Sequence, residues 1–232
     1  MSLSIVIPCY NEEHTIETLI RTLYGEIVPK IDTVECLIVN DCSTDQTPHI
    51  LSRLVTELPG LKVIQTPMNL GHGGSLLRGY EAASKDYIFQ IDSDNVFIPE
   101  EFWKMYSLRE TYDFIFGFRQ KRRDSWYRIL ISRSIPWINF ILFGVWLKDA
   151  SCPFRLMKRE PLKRCLPHID PETVAPNILM AIWAKKKGYR ISEVPIPKLS
   201  RKTGQSTWSP RRLLQGVFKG SYQLIQWRLK FP

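Results

Sequence analysis

Two carboxylates one residue apart, Asp92 and Asp94, close the apolar run Tyr87-Ile88-Phe89-Gln90-Ile91. At that spacing they repel each other unless a cation lies between them. A divalent ion that also takes phosphate oxygens, Mg2+ or Mn2+, suits such a pair. The run before them reads as a strand buried on both faces, so the carboxylates stand at its carboxyl end, where open α/β sheets bind ligands. An Asp-Ser-Asp step also serves as an ordinary turn or helix cap, and the tripeptide alone does not decide between the two.

The elements before it give the pair a setting. Leu3-Ser4-Ile5-Val6-Ile7 reads as a strand, Pro8 to Glu13 as a turn, and Thr15 to Val28 as a helix with Ile16, Leu19, Ile20 and Leu23 on one face. The pattern repeats in Val34–Val39, the polar turn Asn40-Asp41-Cys42-Ser43-Thr44-Asp45, and a helix through Ile50, Leu51, Leu54, Val55 and Leu58, with Ser43 or Thr44 as its N-cap. A third strand, Leu61 to Gln65, leads into Asn69-Leu70-Gly71-His72-Gly73-Gly74-Ser75, whose glycines let backbone approach a ligand. His72 reads as a loop hydrogen bonder rather than a catalyst. Alternating strands and helices predict a doubly wound, mostly parallel sheet with polar loops at one edge. The glycines do not follow the first strand as a dinucleotide fingerprint requires.

The 232 residues suffice for one substantial core with an appended segment, and the formal charge of +9 predicts an anionic partner. The excess sits late, in Arg119-Gln120-Lys121-Arg122-Arg123, Lys185-Lys186-Lys187 and Arg201 to Lys230, beside long apolar side chains. No nucleic-acid-binding motif accompanies it, so no nucleic acid partner is expected. Five cysteines without a Cys-X-X-Cys pair argue against zinc and against a disulfide framework, and the first strand follows the start with no basic leader. A cytoplasmic setting is expected.

Ile5-Val6-Ile7-Pro8-Cys9-Tyr10-Asn11-Glu12, Val39 to Asp45, Asn69 to Gly74 with Arg78-Gly79, and Asp92-Ser93-Asp94 together resemble, in order and spacing, the motifs of family 2 glycosyltransferases of GT-A fold. Asp149 to Leu156 and Gly188 to Ile196 resemble the polyprenyl-phosphate branch, which includes dolichol-phosphate mannose synthases. The likeness spans about residues 3 to 208 and implies a GT-A domain over 1–208, with candidate interfacial helices at 124–148 and a basic-aromatic C-terminal amphipathic helix at 209–232. It implies an inverting transferase moving a hexose from a nucleotide-diphosphate sugar to a polyprenyl phosphate. On this likeness Pro8, Tyr10, Glu12, Asp41, Gly73, Arg78, Asp92, Ser93, Arg201 and Ser206 contact the nucleotide sugar. Asp92 and Asp94 hold Mg2+ or Mn2+, and Asp94, Arg119 and Arg155 are the catalytic group. Asn40 and Cys42 depart from residues common in the family, which leaves the nucleobase open, and Pro153 stands where Gly is common, which stiffens the acceptor-side loop.

A hydroxyl acceptor must lose a proton, whereas a lipid phosphate attacks already ionised. Asp170 and Glu172 are the candidate bases if the acceptor is a sugar or protein hydroxyl, and Asp170 before Pro171 also reads as the N-cap of a helix running to Lys187. The segment from Trp126 to Leu147 is strongly apolar but broken by Arg128, Arg133 and Pro136, leaving a run shorter than the roughly 20 residues a bilayer requires. It reads as an interfacial helix pair on an anionic membrane face, as a buried helix over the sheet, or as a dimer contact. The tail from Trp208 to Lys230 repeats the mixture. The expected location is therefore the cytoplasmic membrane face, with a separate membrane subunit or a homo-oligomer as further partners. A rival of another class is a subunit that binds the nucleotide sugar and docks on the membrane without catalysis.

Overall fold

The computed structural model describes residues 2–93, 99–120, 126–197 and 210–230, and side chains at 2–93, 99–120, 134–197 and 219–229. Four parallel strands form one half of a seven-stranded sheet: β1 (Ser2–Cys9), β2 (Thr33–Asn40), β3 (Leu61–Gln65) and β4 (Tyr87–Gln90). The other half holds β5 (Phe114–Gln120), β6 (Arg155–Lys158) and β7 (Ile191–Pro197), and the spatial order is β3-β2-β1-β4-β6-β5-β7. β6 runs antiparallel between β4 and β5, while β7 is parallel to β5. The mostly parallel α/β sheet expected from the sequence is present.

β1 is buried from Leu3 through Cys9 because helices cover both faces. Leu3, Ile5 and Ile7 enter the core shared with α1 (Ile16–Glu26), α2 (Thr47–Glu57) and α4 (Pro99–Ser107). Val6 enters the opposite core with α3 (Gly71–Ala82), α6 (Arg159–Cys165) and α7 (Pro176–Lys186). This is the period-two alternation of a strand feeding two layers. Gly79 brings α3 close to the sheet, since a Cβ there would lie 2.4 Å from Val6.

Three elements begin or continue differently from the sequence reading. The N-cap of α2 is Gln46, with Pro48 in the first turn and the amide of Thr47 donating to Asp45 Oδ1 at 3.0 Å, so neither Ser43 nor Thr44 caps it. α7 starts at Pro176 rather than at Pro171. A residue before proline is driven out of the helical region, and Ala175 accordingly has φ −136° and ψ 58°. Asp170 instead closes a local turn, its Oδ1 accepting from the amide of Glu172 at 2.8 Å.

The apolar segment forms a single helix, α5 (Trp126–Phe143), which continues through Pro136 and stops at Gly144 with φ +67°. The last helix, α8 (Pro210–Lys230), packs beside it: Phe143 meets Trp227 with ring centres 5.6 Å apart, and Arg228 Nε donates to Leu142 O at 2.8 Å. α8 also holds the loop before α7. Gln223 Nε2 donates to Glu172 O and Gln223 Oε1 accepts from the amide of Val174, both at 3.0 Å, while Trp227 Nε1 donates to His168 O at 2.7 Å. Among the described residues no helix is long and apolar enough to cross a membrane.

Candidate active site

The loops after β1 and β2 are laced into one wall at the carboxyl edge of the sheet. Asn11 takes φ +54° and Cys42 φ +58°, a left-handed conformation that side-chain-bearing residues rarely adopt. The contacts across the two loops hold it there. The amide of Asn11 donates to Ser43 Oγ at 3.0 Å, the amide of Thr44 to Asn11 Oδ1 at 2.8 Å, and the amide of Glu12 to Thr47 Oγ1 at 2.9 Å. Glu12 turns its carboxylate to its own helix start, accepting from Thr15 Oγ1 at 2.7 Å. Pro8 is buried in β1, and Tyr10 stands 42% exposed at the rim.

Asp41 is buried, and its Oδ1 accepts from Thr66 Oγ1 at 2.9 Å and from the amide of Leu70 at 2.8 Å. It thereby fixes the loop that starts α3. Gly73, in the first turn of that helix, lies against the carbonyl of Thr173, where a Cβ would come within 2.0 Å of the oxygen. The glycine therefore serves a close approach of two protein segments. Arg78, about two turns along α3, is exposed and lies 3.6 Å from Glu81.

Beyond β4, Asp92 Oδ1 lies 3.9 Å from His72 Nε2, with Ser93 buried beside it. A carboxylate oxygen and an imidazole nitrogen converging in a half-exposed place form a donor set suited to a divalent ion. The residues present therefore fit the cation the sequence implies. Asp94, Arg201 and Ser206 lie outside the described residues, and among those described no group of three potential metal-binding side chains occurs.

Arg119, near the end of β5, grips Asp149 with two parallel bonds, Nε to Oδ2 at 2.8 Å and an Nη to Oδ1 at 3.0 Å. The same Nη donates to Ser151 Oγ at 2.9 Å, and Ser151 Oγ donates to Asp149 Oδ1 at 2.9 Å. Burial works against the Arg119 charge, but Asp149 more than offsets it and Asp92 adds to the stabilisation, so the guanidinium is held above its ordinary pKa.

Arg155 is fully buried and donates to three main-chain carbonyls, those of Ala150, Cys152 at 2.7 Å and Asn177 at 3.0 Å, with Phe116 4.4 Å from its guanidinium. Burial pushes its pKa below the ordinary arginine value. The structure thus places Arg155 beneath the surface, tying the 149–154 loop to α7, and not facing a ligand. Asp170 and Glu172 are both exposed in the loop clamped by Gln223.

The sequence profile of Glycosyl transferase family 2 matches residues 4–166. The chain belongs to this family. Among curated proteins, undecaprenyl-phosphate 4-deoxy-4-formamido-L-arabinose transferase from Enterobacter sp. (strain 638) is 30% identical over 93% of this chain and 65% of its own length. The enzyme of that name from Edwardsiella ictaluri (strain 93-146) is 26% identical over the same shares. The family 2 chain therefore spans about two-thirds of the length of these relatives. Among solved structures, glucosyl-3-phosphoglycerate synthase from Mycobacterium tuberculosis in complex with UDP superposes with a TM-score of 0.75 at 21% identity, covering 100% of this chain and 81% of that one. TarS 1–349 from S. aureus in complex with UDP gives 0.64 at 23% identity, covering 100% and 66%. These likenesses establish the GT-A fold.

Sequence reasoning assigned no role to Asp149, Ser151, Thr66 or Gln223, the residues that hold Arg119, Asp41 and the loop before α7 in place. Asp149 and Ser151 belong to the Asp149–Leu156 segment that resembles the polyprenyl-phosphate branch, and a carboxylate with a hydroxyl two residues on favours a turn. Thr66 and Gln223 act on segments far away in the chain, and nothing local marks them.

Proposed function

We propose that this family 2 chain transfers one sugar residue, with inversion, from a nucleotide-diphosphate sugar to a polyprenyl phosphate at an anionic membrane surface. The observation that carries the choice of acceptor is the likeness to curated relatives named as undecaprenyl-phosphate transferases. Asp170, a candidate base for a hydroxyl acceptor, is accounted for as a turn former, its Oδ1 accepting from the amide of Glu172. A lipid phosphate needs no base.

An acceptor phosphate oxygen attacks the anomeric carbon while the bond to the nucleotide diphosphate breaks, and the electron pair leaves on that diphosphate. Asp41 and the wall of Tyr10, Glu12 and Ser43 bound the nucleotide, and Arg119 presents fixed positive charge to the developing anion. Asp92 and Asp94 would hold Mg2+ or Mn2+, which supplies charge neutralisation at the leaving diphosphate. The names of the curated relatives support the acceptor class. They point to a modified pentose as well as the hexose read from the sequence, so the donor panel must include both.

The membrane part of the proposal rests on exposed apolar side chains. Trp137, Phe140, Ile141 and Trp146 stand out on α5 and the loop after it, and Tyr222, Ile225 and Leu229 on α8. The test is transfer of radiolabel from nucleotide hexoses and pentoses into extractable lipid, with polyprenyl phosphate and Mn2+ present. Label in the lipid phase, abolished by chelation and by Asp92→Asn, is expected. Donor turnover without lipid label would shift the acceptor to a hydroxyl, and no turnover with any donor would leave a binding subunit.

A further inference from the structure

His72 approaches Asp92 at the start of α3, and the sequence reading gave it no more than a loop hydrogen bond. We infer that His72 is a protein ligand of the cation held by Asp92, and that its imidazole nitrogen tips the site toward Mn2+ over Mg2+. The inference rests on the donor-site reading above and adds a ligand and a metal preference to it.

The separation of 3.9 Å between His72 Nε2 and Asp92 Oδ1 is too long for a good hydrogen bond. Two coordination bonds of about 2.1 Å meeting at one ion span up to about 4.2 Å. The two side chains are 47% and 34% exposed, while Asp92 Oδ1 itself is buried.

The backbone that carries the imidazole is anchored on both sides. Before it, Gly71 turns the chain with φ +72°, its amide donates to Asn69 Oδ1 at 3.1 Å, and the amide of Leu70 is held by Asp41. After it, Gly73 packs on the Thr173 carbonyl, while Ser75 Oγ donates to Gly71 O at 2.9 Å. The backbone position of His72 is thus fixed before any ion arrives, so only the two side-chain torsions of the imidazole remain to be set by coordination.

The metal preference follows from the nitrogen. Mg2+ binds through carboxylates, water and phosphate oxygens and dehydrates reluctantly. First-row transition ions accept imidazole more readily, with Mn2+ at the weak end of that series. One imidazole therefore produces a moderate bias and not an absolute selection.

The experiment measures Mn2+ alone binding to the full chain by the paramagnetic resonance of the free ion, with Mg2+ as competitor. The proteins compared are wild type, His72→Ala, His72→Gln and Asp92→Asn, each checked for unchanged circular dichroism. His72→Ala is expected to weaken Mn2+ by about tenfold or more, the scale seen even for groups outside the ligand shell, and Mg2+ by less than about threefold. His72→Gln, which offers an oxygen, is expected to keep Mg2+ binding and lose the Mn2+ preference. Unchanged Mn2+ affinity in His72→Ala, parallel loss of both ions, or a wild type that binds no Mn2+ would overturn the inference. Full Mn2+ affinity in Asp92→Asn would instead strike the donor-site reading, so the two failures are distinguishable.

Discussion

Arg119 meets the site with its orientation already decided. Two bonds to Asp149 and one to Ser151 occupy one edge of the guanidinium, and a planar fork held on one edge can aim only the other. Asp149→Asn keeps the volume but removes the charge and one of the two strong acceptors. It is expected to lower kcat about 10²-fold, the scale of losing one oriented stabilising group, and to leave the donor KM within about threefold because the loss falls on the transition state. Steady-state kinetics at saturating acceptor would decide it, and wild-type turnover in Asp149→Asn would remove Arg119 from the mechanism argued above. The residue types of this site were legible in the sequence: Asp41 and Asp92 each follow an apolar strand at the sheet edge where ligands bind. The role of Arg155 was not. Its charge suggests a ligand, but β6 runs antiparallel in the middle of the sheet, and its first residue lies in the interior, where three carbonyls take up the donors. No local pattern reports that a strand is central.

At the scale of elements, the amino end of the sheet is held by Glu35, only 3% exposed on β2. Its carboxylate accepts from Ser4 Oγ at 2.7 Å, from the amide of Ser84 at 2.7 Å and its Oγ at 2.8 Å, and from Lys62 Nζ at 3.1 Å, so it joins β1, β2, β3 and the connection between α3 and β4. Burial raises its pKa, but these bonds outweigh burial and hold it at about 2. A carboxylate depressed in the folded state contributes stability above its unfolded pKa, near 4.3, and loses it as pH falls toward the folded value. Lys62, the charged partner, is exposed and screened by solvent, so the contribution is below the roughly 3 kcal/mol that the whole shift would give. Urea unfolding of wild type and Glu35→Gln between pH 7 and pH 2 is expected to show a stability gap that closes through pH 4 to 2. A gap independent of pH would mean that the carboxylate is not held as an anion. The strands and the first two βα units were readable from alternation and apolar runs. The helix starts were less so, because Pro48 and Pro176 fix where α2 and α7 begin and override the polar residues that looked like caps.

At the scale of the whole molecule, α5 and α8 join two tasks. Their inner sides meet through Phe143, Trp227 and Arg228, and α8 grips the 168–174 loop with the Gln223 and Trp227 side chains, which bond main-chain groups of His168, Glu172 and Val174. Their outer sides leave three aromatic rings exposed on α5 and its following loop, with Trp146 in edge contact with Trp137 at 5.1 Å, and Tyr222, Ile225 and Leu229 on α8. Apolar side chains left in water at this density are expected to meet a partner. The sequence of α8, with Arg211, Arg212, Lys219, Arg228 and Lys230 among its apolar residues, suits an anionic bilayer surface better than a neutral one. Two contributions with different signatures follow. Inserted rings give a component insensitive to salt, and basic residues give one that weakens as the screening length shrinks from about 10 Å at 0.1 M to about 3 Å at 1 M. In sedimentation with vesicles containing anionic lipid, the Trp137→Ala/Trp146→Ala double variant is expected to weaken binding roughly tenfold or more, since fully burying one large apolar side chain contributes about 1.5–3 kcal/mol. Wild type is expected to retain partial binding at 1 M salt while the double variant releases fully. Equal binding of both proteins at every salt concentration would show that the aromatic face meets something other than lipid, with self-association measured by ultracentrifugation as the next assay.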